Sequence, residues 1–163
     1  MNRRFLLAGL AGITTTAVLP ALDASAAMPM ETLKLQALMG GDYSTATSKL
    51  AARKSRNRLI TTFADLEIDE QAAVATAFGT RPGKAGLRED QAAIVAQLQG
   101  LSGAEFDLMY VEGQIAGHQE LLKIHKSYAR SGKDPMARGA SIVGVAGIET
   151  HLTMLKGIQQ TLS

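Results

Sequence analysis

Apolar residues recur at spacings of three and four along nearly the whole chain after residue 27, in a background of Ala, Leu, Gln, Glu and Lys with only short β-branched runs. A chain with that period hides its apolar atoms by forming amphipathic helices and packing their stripes together. Local signals divide it. A first helix spans about Met30 to Arg53, with Leu35, Leu38, Ala46 and Leu50 turned inward and Gly40-Gly41 as a weak point. Ser55 or Asn57 caps a second helix that reaches Phe78, where Gly79 supplies the stop. Residues 79–86, "GTRPGKAG", form a loop, and a short helix follows from Leu87 to about Gln99. Ser102 and Glu105 have the spacing of a capping box and open a long helix that ends near Ser131-Gly132. Asp134-Pro135 starts the last helix, which runs to about Thr161. Four long amphipathic helices with mostly short connections predict an all-α antiparallel bundle with one short extra helix.

The first 27 residues differ from the rest. A basic start with Arg3 and Arg4, an apolar middle from Phe5 to Leu22 and a small-residue finish at Ala24-Ser25-Ala26-Ala27 make a secretory signal peptide, leaving 28–163 as one domain. Thr14, Thr15, Thr16 and Pro20 interrupt the apolar run and argue against a retained membrane span. The Arg3-Arg4-Phe5-Leu6-Leu7 segment fits both twin-arginine and general secretory export. The chain contains no cysteine, which excludes disulfides, thiolate ligands, a cysteine nucleophile and a lipid anchor on an N-terminal cysteine. Without its first 27 residues the chain is close to neutral, and it shows no basic stripe interleaved with aromatics, so nucleic acid is not an expected partner. No phosphate-binding glycine loop follows a strand, and no Ser/His/Asp motif can be assembled.

The informative residues are polar ones at inward positions. At ~100° per residue, His151 falls in the middle of a stripe formed by Ala140, Gly144, Gly147, Ile148, Leu155, Ile158 and Leu162. The same construction centres Glu70 among Leu59, Phe63, Leu66, Ala73, Val74 and Ala77, and places His118 within the arc of Tyr110, Val111, Ile115, Leu121 and Leu122, one turn after Gln114. Glu67 lies at the edge of the Glu70 stripe and reads as a solvated flank. His125 is on the His118 seam one heptad later, ~10 Å along the axis, too far to share an ion with it. Three helices thus each turn one ionisable group inward, which is costly unless the groups satisfy one another. Two readings stay open: a hydrogen-bonded internal network, or a divalent metal site on Glu70, His118 and His151 for zinc, iron or manganese. Glu-x-x-His, the mark of a di-iron carboxylate bundle, is absent, since Glu149 and His151 are two apart and face differently.

The runs "FADLEIDEQ", "FDLMYVEGQIAGHQELLKIHKSYARSGKDP" and "GIETHLTMLK" resemble an exported bacterial family called domain of unknown function 4142, over about Gly41 to Lys156. Its anchors here are Phe106-Asp107, Tyr110, Gln114, His118 and His151. The resemblance implies a ferritin-like up-and-down four-helix bundle in the periplasm or at the outer membrane, with envelope association and no established activity. Members usually carry an Asp-His pair where this chain has Asp69-Glu70, and often a first-helix glutamate where it has Ser44. The expectation is therefore a non-enzymatic envelope or stress-associated module with an internal metal site, the alternative being a ferritin-like metal-dependent oxidase or peroxide-handling enzyme.

Overall fold

The computed structural model describes residues 30–162, all of whose regular structure is helical. The signal peptide expected over residues 1–27 lies outside the described residues. The elements are α1 (Met30–Lys54), α2 (Arg58–Ala77), α3 (Glu89–Gly100), α4 (Gly103–Ser131) and α5 (Pro135–Thr161). No described helix is long and apolar enough to cross a membrane.

Capping chemistry fixes most of the boundaries. The Asn57 side chain accepts from Leu59 N (2.9 Å) to start α2, and Gly79 at φ 76° follows its end. Asp134 accepts from Met136 N and Ala137 N ahead of Pro135, and also takes Lys34 Nζ at 2.9 Å, so one carboxylate caps α5 and ties it to the start of α1. The capping box expected at Ser102 is not formed: Ser102 makes no side-chain cap bond, and the chain enters α4 through Gly103 at φ 61°. The reciprocal bond occurs instead at α3, where Arg88 N donates to Gln91 Oε1 (3.0 Å). The 79–88 connection is pinned from outside by Asp42 of α1, whose carboxylate accepts from the backbone N–H groups of Gly83, Ala85 and Gly86.

α1 packs against α2 and α4, and α4 packs against α5; α3 lies on α1 and α4. Of the neighbouring pairs of long helices, α2 and α5 make the slightest contact. One core cluster joins Leu50, Ala51, Ile60, Phe63, Ala64, Leu98, Phe106, Tyr110, Val111, Leu155 and Ile158; a second, at the other end, holds Leu33, Ala37, Phe78, Ile124, Tyr128 and Ala137. Gly40 and Gly41 do not weaken α1 but let its neighbours approach: a Cβ at 40 would stand 3.1 Å from Leu121 Cγ and closer still to Cδ2, and one at 41 would meet Gln71 Oε1.

The inward faces differ from the expected ones on two helices. Leu35 is half exposed, and the buried face of α1 runs through Leu33, Ala37, Ser44, Thr47, Ser48 and Ala51. On α2, Leu59 and Leu66 are half exposed, while Ile60, Phe63, Ala64, Glu67, Gln71 and Ala75 are buried. The apolar stripe of α2 serves two surroundings, one edge entering the core against α1 and the other lining the open seam toward α5. Its apolar centre is therefore rotated away from its buried centre, and the rotation exchanges Glu70 for Glu67.

Candidate metal centre

Glu67 of α2, His118 of α4 and His151 of α5 meet in the interior, at 0%, 1% and 7% exposure. Glu67 Oε2 lies 3.0 Å from His151 Nδ1 and 3.3 Å from His118 Nε2, and the two ring nitrogens are 3.3 Å apart. Phe63 closes one side, its ring 5.3 Å from that of His151 and 5.9 Å from that of His118.

The outer partners decide what the inner atoms carry. His118 Nδ1 is 2.9 Å from the Gln114 carbonyl oxygen, which can only accept, so the proton of the neutral ring sits on Nδ1 and Nε2 presents a lone pair. His151 faces a carboxylate at both ring nitrogens, Glu70 Oε2 at 3.3 Å from Nε2 and Glu67 Oε2 at 3.0 Å from Nδ1; with its proton on Nε2, the neutral ring presents the Nδ1 lone pair inward. Glu67 Oε1 is held by Ser44 Oγ (2.6 Å) and Gln71 Nε2 (2.8 Å), whereas Oε2 receives no aligned hydrogen-bond donor. Three acceptors therefore converge within one triangle. Such an arrangement is repulsive unless a cation or a shared proton sits among them.

The surrounding shell is polar and ordered. Ser44 Oγ also lies 2.8 Å from Gln114 Oε1, and Gln114 Nε2 donates to Thr47 Oγ1 (2.8 Å). Ser48 Oγ and Tyr110 OH share a 2.9 Å bond, and burial pushes the Tyr110 phenol well above its ordinary value. This shell accounts for the run of hydroxyl residues in the middle of α1. Ser44 contributes a hydroxyl proton to Glu67.

Burial alone would raise the Glu67 carboxyl; the close approach of the His118 and His151 ring nitrogens, the positive field of His118 when protonated and the Ser44 hydroxyl outweigh it and hold the acid far below the usual carboxylate range. The bond to Glu67 raises the His151 pKa against the opposing effect of burial. In the absence of an ion, a proton on the inner side of His151 thus relieves the triangle.

Of the residues proposed from the sequence, His118 and His151 are brought together. Glu70 touches only the outer nitrogen of His151, and its side chain is 34% exposed. The residue read as a solvated flank, Glu67, is the buried one at the centre. His125 stands apart, buried, with Nδ1 3.1 Å from Ser141 Oγ and its ring edge-on to Phe78. Burial pushes its pKa down to about 4. The unfolded chain protonates this ring near 6.5 and the folded one only near 4, so stability is full above 6.5 and falls as pH drops through that interval. Urea titrations between pH 7 and pH 4 are expected to show an acid loss of up to about 3 kcal/mol from this group. A His125→Gln variant whose acid limb is as steep as that of the unaltered protein would contradict this.

Among the described residues, Glu67, His118 and His151 form the one group of three such side chains with ligand atoms close enough to share an ion, all within 4.8 Å. Bonds of about 2.0–2.1 Å to nitrogen and oxygen place tetrahedral ligands ~3.3 Å apart and octahedral neighbours ~3 Å apart, and the triangle sides of 3.0, 3.3 and 3.3 Å fall in that span. The outer bonds of the imidazoles, one to a carbonyl and one to a carboxylate, are those that orient ligating histidines.

No curated protein and no solved structure matches the chain. A family model, described as a domain of unknown function, DUF4142, matches residues 18–158. The chain, with the buried Glu67–His118–His151 triangle inside the matched span, belongs to that family.

Proposed function

We propose that this protein is an exported, ferritin-like four-helix bundle that holds one divalent transition-metal ion on Glu67, His118 and His151. The observation that carries the reading is the convergence of three lone pairs in a dry interior, with every outward atom of the three side chains already given a partner. Glu67 Oε2, 3.0 Å from His151 Nδ1 and 3.3 Å from His118 Nε2, has no aligned hydrogen-bond donor. Two imidazoles and a carboxylate suit zinc, iron or manganese. A dinuclear oxidase centre draws no support, because a second cluster of histidines and carboxylates is lacking among the described residues. Glu70 serves as the carboxylate behind His151, fixing its tautomer, and not as a direct ligand.

The test is metal content after incubation of the purified protein with zinc, iron(II) or manganese and removal of excess. About one equivalent is expected for at least one of these, and far less in His118→Ala, His151→Ala and Glu67→Gln. A folded protein that retains none of the three at micromolar free ion would refute the site.

A further inference from the structure

The triangle is sealed on most sides. Phe63 and Ser44, at 0% and 2% exposure, close it from α2 and α1, and Gln114 and Gln71 cover the remainder. His151 is the least buried of the three, and behind it stands the half-buried Glu70. Glu70 lines one end of a groove of about 410 Å³ between α2 and α5, walled by Ala73, Ala77, Ala140, Gly144 and Gly147. This is also the seam along which neighbouring long helices touch least. Gly147 lies one turn before His151 on α5. A Cβ at 147 would stand 3.2 Å from Glu70 Oε1, and its absence leaves the carboxylate room to move.

Resting on the metal reading above, we infer that ions reach and leave the triangle through this groove. Glu70 receives a divalent cation at the mouth and hands it past His151 to Glu67 and His118. The site is thereby one that exchanges its ion with the surroundings without unfolding. A single carboxylate among small apolar walls concentrates cations at one point.

The experiment follows uptake of cobalt(II) by its visible absorption in stopped flow, and its release to excess chelator. Ala73→Leu and Ala140→Leu narrow the groove from opposite walls without touching a ligand; Ala104→Leu, at the far end of the molecule, is the control. Each groove variant is expected to slow uptake and release together by about tenfold, leaving their ratio and the absorption spectrum unchanged. Glu70→Gln is expected to slow uptake by about tenfold, since the attracting charge is lost. Both groove variants exchanging at the rate of the control would overturn the route while leaving the site intact. Failure of the unaltered protein to take up cobalt(II) would overturn the site and the route with it.

Discussion

Replacing Glu67 with alanine is expected to destabilise the metal-free protein by about 3–5 kcal/mol, the largest effect of any single substitution in this interior. The cost has two parts. The proton shared with His151 loses its acceptor, so two buried imidazoles face each other at 3.3 Å with nothing between them. Gln71 Nε2 also loses the oxygen it donates to, while Ser44 Oγ keeps only Gln114 Oε1, and a buried donor without a partner is penalised individually. Glu67→Gln keeps the volume and one carbonyl oxygen, and should lose less than half as much. Converting Glu67, His118 and His151 together to Met, Leu and Leu removes the mutual dependence and is expected to cost less than Glu67→Ala alone. Urea denaturation of the three variants measures this directly. A Glu67→Ala protein within about 1 kcal/mol of the parent would mean that the triangle is not energetically coupled.

Saturating zinc is expected to raise the thermal midpoint by roughly 6–10 °C, the shift that a ligand at about a hundred times its dissociation constant produces in a domain of this size. The increment has a pH signature. The inner nitrogens of His118 and His151 must be free of protons to bind an ion, and Glu67 raises the His151 pKa above its ordinary value. Binding therefore displaces a proton, and the zinc-dependent increment should shrink as pH falls from 8 through the histidine range and vanish near pH 5. His118→Ala and His151→Ala should show no increment at any pH. An increment that persists undiminished at pH 5, or that survives both substitutions, would place the zinc elsewhere.

The exchange of Glu70 for Glu67 shows how far periodicity reaches. A helical wheel locates the centre of the apolar residues, and on α2 that centre is pulled toward Leu59 and Leu66, both half exposed, and Ala73, which lines the groove beside α5. The buried face lies one step around, through Ile60, Phe63, Glu67 and Gln71. Its polar members were legible only in company: Glu67 and Gln71 sit four apart and face the hydroxyl run Ser44, Thr45, Thr47 and Ser48 of α1. A polar stripe on one helix matched by a polar stripe on another is the signal that could have found the site. Leu35 misled for the related reason that the buried middle of α1 is polar, so its leucines do not mark its inward face.

The sequence by itself determined the helices, their near-exact limits at Asn57, Gly79 and Asp134-Pro135, and the inward placement of His118 and His151, because capping and the helical period depend on residues within a turn or two of one another. Only the tertiary structure decided which carboxylate meets the imidazoles, that Ser44 and Gln71 hold it, that Asp42 fastens the 79–88 loop, and that the α2–α5 seam stays open. Each of these is set by the rotation of one helix against another, and that rotation follows from the summed packing of all the faces, to which a single helix's pattern contributes only its own part.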